Sequence, residues 1–367
     1  MSRPALLLPA ITFLAAFFVP ALSAQSRTGR THPVAGAIRW DAWHGKQGVP
    51  GRAVEVALGP AEWHYRLPFF SRVVSETEVS VDGSSQETMD REIAFASGAG
   101  LGYWAFVTYS DGDPMSLGLK HYLASARRGA INFCLITELS RWGTGSSHQD
   151  ELTRYAALIR EPGYQRTADG RPLFFLGFLT ESLVSKNWGS ASRLRAAVDE
   201  FRARAGNPYI VILDSDPDQG AKWKNLLGAD AISAYAVSGG GKNETYTSLA
   251  GYAEAFWERA RKTGAEVVPL VMSGWDRRPR VIHPVPWETY QKPGAGVDRF
   301  YRAATPGEIA NHLRHALEWI SSNGTAAPAG VALIYAWNEN DEGGWLTPTL
   351  AEGPARLEAI RSVLGMP

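Results

Sequence analysis

Apolar and polar positions follow one repeating order along this chain, in which an apolar, β-rich run leads into an amphipathic stretch. The runs are nearly continuous in apolar character, as expected for parallel strands that are covered on both faces. Eight such runs predict eight strands, at residues 37–43, 101–109, 131–139, 173–179, 209–214, 231–237, 267–275 and 331–339.

Helical patterns lie between these runs. Residues 84–87 (Ser-Ser-Gln-Glu) and 305–308 (Thr-Pro-Gly-Glu) have the spacing of a capping box, and proline stands at the first helical position of the second. Strands that alternate with helices predict an α/β fold, a single (β/α)8 TIM barrel. A doubly wound open sheet is the alternative, but the sequence lacks the Gly-rich first turn that often marks it.

Two predicted connections are long: residues 44–83 after the first strand and residues 276–304 after the seventh. Both leave the C-terminal ends of their strands, which is the side where barrel enzymes place their active sites. Both also contain several aromatic residues. We expect them to surround an extended substrate; the alternative is that they only cover the surface.

The first 24 residues have the pattern of a secretory signal peptide. Arg3 is followed by an apolar segment over residues 6–19 and by small residues at 21–24. We therefore expect a secreted or periplasmic protein whose mature part, residues 25–367, is one domain; an uncleaved N-terminal anchor is the alternative. No later segment reaches the ~18 uninterrupted apolar residues of a spanning helix, so we expect no membrane span in the mature chain.

Composition excludes some classes of protein. The 37 basic and 37 acidic residues balance, and no basic stripe indicates nucleic-acid binding. Cys134 is the only cysteine, which excludes an intrachain disulfide framework. Because it lies in an apolar run, we expect it to be a small buried core residue.

The C-terminal ends of the predicted strands carry the residues that could bind a ligand. They form a polar and aromatic ring without lysine, which favours a neutral oligo- or polysaccharide whose sugar rings stack on tryptophan. The candidate substrate-binding residues are Asp41, Trp43, His44, Tyr109, Asp111, Glu138, Tyr235, Trp275, Asp276, Trp337, Asn338 and Trp345. Their spacing matches no metal motif and no phosphate-binding loop is apparent, so we expect neither a metal nor a cofactor.

The candidate catalytic residues are Glu339 and Glu342, at the end of the eighth strand. If the chain turns helically there, their Cβ atoms approach to about 5–6 Å. Two carboxylates that close repel each other, so one should have a raised pKa and remain protonated near neutrality. A pair of carboxyls in two protonation states is the minimal machinery for cleaving a glycosidic bond. The alternative, that Glu342 caps a helix or faces water, is disfavoured by the position of the pair at a strand end.

The sequence resembles the glycoside hydrolase family 99 group and its family 71-like relatives, the endo-α-mannosidase superfamily. The most specific match is Glu339-Asn340-Asp341-Glu342-Gly343, which is similar to the Glu-Trp-His-Glu-Gly of that family at the end of its last barrel strand. Segments 271–276 (Val-Met-Ser-Gly-Trp-Asp) and 346–348 (Leu-Thr-Pro) are also similar, as is Tyr164 with 170–172. Asn340 and Asp341 depart from the family's Trp and His, and the first strand also differs from the mannosidases.

The resemblance implies a mechanism without metal or cofactor. Glu339 would be the base that activates the sugar's own 2-hydroxyl. Glu342 would protonate the leaving oxygen and later deprotonate water, with net retention. The resulting hypothesis is an exported, retaining, endo-type glycoside hydrolase that acts on an α-mannoside-like substrate. Two alternatives remain: a polysaccharide-biosynthesis protein of the type labelled glycosyltransferase, and a catalytically silent carbohydrate-binding barrel.

Overall fold

The computed structural model of the protein describes residues 32–44, 48–144 and 146–365. The predicted signal peptide, residues 1–24, lies outside the described residues. Among the helices of the described ranges, none has the length and apolar character needed to cross a membrane.

The described residues contain short strands, most of which lie close to the predicted apolar runs. They are β1 Val34–Arg39, β2 Ser71–Val73, β3 Val79–Val81, β4 Tyr103–Val107, β5 Asn132–Glu138, β6 Leu173–Gly177, β7 Tyr209–Leu213, β8 Ala231–Ser233, β9 Glu266–Val267, β10 Leu270–Met272, β11 Val331–Tyr335, β12 Asn338–Glu339 and β13 Gly344–Trp345.

Helices separate most of these strands. They are α1 Val49–Leu58, α2 Gln86–Gly98, α3 Leu117–Ala124, α4 Ser146–Ile159, α5 Glu181–Trp188, α6 Ala191–Arg204, α7 Pro217–Leu227, α8 Tyr246–Lys262, α9 Arg278–Ile282, α10 Pro306–Ser322 and α11 Ala355–Leu364. The order of elements confirms the predicted α/β class.

Nine strands form one parallel sheet in the order β10-β11-β1-β4-β5-β6-β7-β8-β9. Its two edge strands, β9 and β10, are separated along the chain only by Val268 and Pro269. The Val268 amide donates to the Ile232 carbonyl of β8 at 3.0 Å, and the Pro269 carbonyl accepts from the Leu333 amide of β11 at 3.0 Å. The sheet is therefore curled, and its two edge strands follow one another along the chain. The predicted seventh strand is divided at Pro269, which has no amide hydrogen to donate.

At the C-terminal ends of several strands, the predicted apolar run continues past the last residue of the strand. The run 331–339 contributes β11 only as far as Tyr335, and the run 231–237 contributes β8 only as far as Ser233. The residues that follow leave the parallel sheet and lie at one end of it, because parallel strands point the same way. The candidate site lies at this end. Cys134 is buried within β5, as predicted.

The helix caps agree with the sequence at α10 but not at α2. Thr305 and Glu308 form a complete capping box at the start of α10. At α2 the cap is Ser85, whose hydroxyl accepts from the Thr88 amide, so the capping box predicted at residues 84–87 is wrong: the cap lies one residue later, and Glu87 is not at the position that completes a box. The second of two adjacent serines caps the helix, a choice that the sequence pattern does not determine.

Both long connections carry secondary structure of their own. The connection after β1 contains α1, a 3-10 helix at Ala61–Arg66, and the antiparallel pair β2–β3. The connection after β10 contains α9, and α9 packs against α1 and against the 3-10 turn Asn340–Glu342. The two connections therefore meet over the candidate catalytic residues.

The cap of α10 yields a stability prediction. Replacing Thr305 with alanine leaves the Glu308 amide without its side-chain acceptor, so we expect the free energy of unfolding to fall by about 1 kcal/mol. Chemical denaturation measures this change. Thr153→Ala is the matched control, because the exposed Thr153 hydroxyl only donates to the Gln149 carbonyl of its own helix. Equal losses in both variants would contradict the capping role.

Candidate active site

A tight hairpin after β11 positions the two glutamates. The antiparallel pair β12–β13 is joined by the 3-10 turn Asn340–Glu342, so Glu339 and Glu342 lie at opposite ends of one turn. Gly343 closes the turn with a φ of 86°, a conformation that favours glycine. A Cβ at Gly274 would lie 2.0 Å from the Gly343 carbonyl oxygen. The hairpin can therefore pack directly on the chain that leaves β10.

One arginine bridges the carboxyl groups of this turn. Arg280, from the short helix α9, donates from Nη1 to Glu342 Oε1 at 2.6 Å and from Nη2 to Glu339 Oε2 at 3.2 Å. Its Nε donates to Asp341 Oδ2 at 2.6 Å. All four side chains are buried. The guanidinium also lies 5.1 Å from the centre of the Trp40 ring and 5.8 Å from that of Trp287.

The remaining partners of the two glutamates differ. Glu342 also accepts from Arg277 Nε at 2.9 Å and from the Tyr335 hydroxyl. Glu339 accepts from the Tyr235 hydroxyl at 2.7 Å. Glu342 therefore contacts two cations and one hydroxyl, whereas Glu339 contacts one cation at longer distance and one hydroxyl.

These surroundings separate the two pKa values. Burial, together with the charges of Glu342 and Asp341, raises the pKa of Glu339 to about 8, although Arg280 opposes the shift. Burial also disfavours ionisation of Glu342, but Arg280 and Arg277 outweigh it and hold the pKa of Glu342 below its ordinary value. Near neutrality Glu339 therefore carries a proton and Glu342 is a carboxylate. One member stays protonated, as expected, but it is not the member to which the resemblance gives the acid role.

Aromatic rings line the approach to the glutamates. Trp275 and Tyr235 are half-buried, and the centres of their rings lie 5.6 and 5.8 Å from that of Tyr335. Phe178 is 49% exposed and its ring centre lies 5.7 Å from that of Tyr235. Phe178 was missed from the sequence, where it is one more apolar residue in the run 173–179; its place after the end of β6 was the available signal.

Tyr109 and Glu138 lie together around the ends of β4 and β5. The Tyr109 hydroxyl accepts from Trp40 Nε1 at 2.7 Å, which connects this region to the aromatic pair beside Arg280. Arg141 covers the Tyr109 ring at 3.6 Å and pairs with Glu138 at 3.4 Å. A cleft opens here, which we call the Tyr109 cleft; it is lined by Tyr109, Ser110, Asp113, Arg141, Glu151 and Arg154.

The candidate Asp111 lies at the edge of this region. Its side chain is 76% exposed and pairs with Arg154 at 3.6 Å, so it is a solvent-facing residue. The structure does not bring Asp111 into contact with either glutamate.

Four residues that were predicted to contact the ligand are buried and contact other parts of the protein. Trp337 donates to Glu92 at 2.7 Å and packs on Trp104, and Trp345 packs under Arg356. The Asn338 side chain accepts from the Trp40 amide at 2.9 Å, and the Asn338 carbonyl accepts from Trp43 Nε1 at 2.8 Å. The side chains of Trp43, Trp337, Asn338 and Trp345 are buried and have these partners within the protein, so their sugar contacts remain predictions without structural support. A strand end alone does not show whether a side chain points into the core.

Asp276, Asp41 and His44 are also buried within the protein. Asp276 is buried between Arg66 and Arg278, and, although burial opposes it, these arginines hold its pKa below the ordinary value. It is therefore a structural ion pair. Asp41 is buried and bonded to Arg39; its pKa is raised to about 6, chiefly by burial. Asp41 and the buried His44 line a separate small cavity that neither glutamate lines.

The described residues contain no cluster of histidine, cysteine and carboxylate side chains that could hold a metal ion.

Comparison with known proteins identifies the fold. No family model matches the chain, and no curated protein matches it in sequence. Among solved structures, a GH99 endo-α-mannosidase from Bacteroides thetaiotaomicron is similar with a TM-score of 0.56 and 15% identity, over 90% of this chain and 95% of the enzyme. The same enzyme in complex with Bis-Tris propane gives a TM-score of 0.55 and 14% identity over the same shares. The predicted resemblance to family 99 is therefore confirmed at the level of the fold.

The raised pKa of Glu339 yields a prediction about pH. The folded protein keeps a proton on Glu339 up to about pH 8, whereas the ordinary pKa is 4.5, so the folded state binds more protons between these values. Wild-type stability should therefore decline as pH rises through this window. Glu339→Gln should remove this contribution and become increasingly stabilising relative to wild type. Denaturation at about pH 5 and about pH 8 measures the difference.

Glu76→Gln is the control, because Glu76 is exposed. A pH-independent difference between wild type and Glu339→Gln would show that Glu339 does not hold its proton in the folded protein.

Proposed function

We propose that the protein cleaves an O-glycosidic bond of an oligo- or polysaccharide, with Glu339 and Glu342 as the catalytic pair. The observation that carries this proposal is a pair of buried carboxyl groups, bridged by Arg280, whose pKa values are shifted in opposite directions. Glycosidic cleavage needs one carboxyl that can donate a proton and one carboxylate that can accept one.

Partly exposed aromatic rings support a carbohydrate as the substrate. Phe178, Tyr235 and Trp275 offer apolar faces beside polar groups, which suits a sugar ring with its apolar C–H face and polar edge. The Tyr109 cleft provides space for further sugar units away from the glutamates. An internal bond of a longer chain, cleaved in endo fashion, fits this arrangement.

The finer parts of the proposal follow from sequence and topology together. We infer a (β/α)8 barrel in which β9 and β10 are one strand, because Val268 and Pro269 bond to both neighbouring strands. Retention of configuration and an α-mannoside-like substrate are proposed from the resemblance to family 99. Export to the periplasm or the medium is proposed from the signal-like pattern of residues 1–24.

A carbohydrate-binding barrel without turnover is the second candidate, and one observation favours it. Both glutamates are bonded to Arg280, and only small fractions of Glu339 and Glu342 are exposed, 3% and 7%. An arginine held between two carboxylates can have a structural role in place of a catalytic one. Such a protein would keep the aromatic lining and bind glycans without cleaving them.

Substitution of the glutamates decides between the two candidates. Glu339→Gln and Glu342→Gln should each lower the release of reducing ends from a glycan panel rich in α-mannans by about 100-fold or more, because proton transfer contributes ~10²–10⁴ to such rates. Glycan binding should persist in both variants. Glu358→Gln is the control, because Glu358 is an exposed carboxylate on α11. Glycan binding by a wild-type protein that releases no reducing ends would establish the binding barrel instead.

A further inference from the structure

We propose that Arg277 and Arg280 are positioning residues that keep Glu342 as the proton-accepting carboxylate, so that Glu339 is the carboxyl that donates a proton to the leaving group. This inference rests on the proposed function, and it reverses the two roles that the resemblance to family 99 implies. Two arginines that were not among the candidate site residues predicted from the sequence thus determine which glutamate carries the proton.

The contacts of Glu342 favour a carboxylate. Its Oε1 accepts from Arg277 Nε at 2.9 Å and from Arg280 Nη1 at 2.6 Å, and its Oε2 accepts from the Tyr335 hydroxyl. Arginine can only donate hydrogen bonds, so a proton on Oε1 would meet two N–H groups and no acceptor, and a proton on Oε2 would remove the negative charge that both guanidinium groups face. A neutral Glu342 would also leave Arg277 with only one carboxylate partner, Glu288.

The contacts of Glu339 tolerate a proton. Its Oε1 lies 2.7 Å from the Tyr235 hydroxyl, which can accept as well as donate, so a protonated Glu339 can donate to Tyr235. Its contact with Arg280 is the longest that this arginine makes to a glutamate of the turn, at 3.2 Å. The raised pKa of Glu339 and the lowered pKa of Glu342 agree with this difference in contacts.

Asp341 holds Arg280 in place. Asp341 is fully buried and receives both Arg280 Nε at 2.6 Å and Arg280 Nη2 at 3.3 Å. The neighbouring Asn340 side chain donates to the Arg66 carbonyl at 2.6 Å, which ties the turn to the connection after β1. The two residues that depart from the family's Trp and His are thus the ones that anchor the arginine and the turn. Because Asp341, which holds Arg280, is buried, Arg280 stays beside the glutamates as part of the site.

The charge balance of the cluster favours a proton on one glutamate. Among the described residues, four carboxyl groups face two guanidinium groups here, and the other titratable groups in hydrogen-bond contact with the pair are two tyrosines. The cluster consists of Glu288, Glu339, Asp341, Glu342, Arg277, Arg280, Tyr235 and Tyr335. Burying two uncompensated negative charges side by side is unfavourable. The proton goes to the glutamate with the weaker cation contacts, which is Glu339.

The proposed roles balance as a reaction. The Glu339 O–H bond breaks and its proton goes to the glycosidic oxygen, which keeps the electron pair of the breaking C1–O bond. In the first step of the retaining reaction, the Glu342 carboxylate takes the proton of the sugar's own 2-hydroxyl, whose oxygen forms the new bond to C1. In the second step, Glu342 returns that proton to the same oxygen as its bond to C1 breaks, and the Glu339 carboxylate takes a proton from the water whose oxygen bonds to C1. Both glutamates are then in their starting states, and no co-reactant besides water is needed.

Titration of the free protein tests the assignment without any substrate. Glutamate carboxyl carbons labelled with ¹³C are followed by NMR across pH, and resonances are assigned by their loss in Glu339→Gln and Glu342→Gln. In the wild-type protein, we expect the Glu339 resonance to titrate above the ordinary glutamate range and the Glu342 resonance to titrate below it. The opposite order, or two ordinary titrations, would overturn the proposal.

A second pair of variants tests the role of the arginines. Arg277→Met should raise the titration midpoint of Glu342, because it removes one of two cations from Oε1. Arg278→Met is the matched control, since the neighbouring Arg278 pairs with Asp276 and contacts neither glutamate. An unchanged Glu342 midpoint in Arg277→Met, or equal shifts in both variants, would show that Arg277 does not set the charge of Glu342.

The dependence of kcat/KM on the leaving group tests the two roles during catalysis. For the sugar that the glycan panel identifies, Glu339→Gln should lose about 10²–10⁴-fold in kcat/KM on substrates with poor leaving groups and far less on aryl glycosides with good ones. Glu342→Gln should lose similarly on both. The reverse pattern would refute the assignment. If the panel reveals no turnover, the proposed function fails, while the titrations still decide where the proton lies.

Discussion

The buried contact between Arg280 and the acidic turn after β11 is the interaction on which the candidate site depends. Charged groups are costly to remove from water, and a buried ion that loses its partner destabilises a protein by about 3–5 kcal/mol. Asp341 accepts from Nε and Nη2 of Arg280, Glu342 accepts from Nη1, and Glu339 accepts from Nη2. This shared partner explains how three acidic residues within four positions can be buried together.

The fold brings these groups together from distant parts of the chain. Arg280 precedes its carboxyl partners by 59 to 62 residues. They meet because β10 and β11 are neighbouring parallel strands, so the segments that follow them leave the sheet at the same end. Gly274 and Gly343 then permit the two segments to touch, since a Cβ at either position would collide with backbone. The geometry of the site is thus a consequence of sheet order and of two glycines.

Strand periodicity and the position of the acidic pair could be predicted from the sequence, because both are local patterns. Parallel strands buried on both faces appear as apolar runs, and Glu339 and Glu342 follow the last of them directly. The partners of the pair could not be predicted. Arg280 lies on a five-residue helix without a periodic pattern, and nothing local connects it to the turn. The burial of Trp337 and Trp345 could not be predicted either, because a tryptophan at a strand end can point into the core as readily as toward a ligand.

Neutron diffraction from deuterium-exchanged crystals of the free protein near neutral pH would test the central claim most directly, because it locates the proton shared by the buried pair. The account predicts a deuteron on the Glu339 carboxyl, close to the Tyr235 hydroxyl, and a bare Glu342 carboxylate facing Arg277 and Arg280. A deuteron on Glu342, or none on either carboxyl, would contradict it.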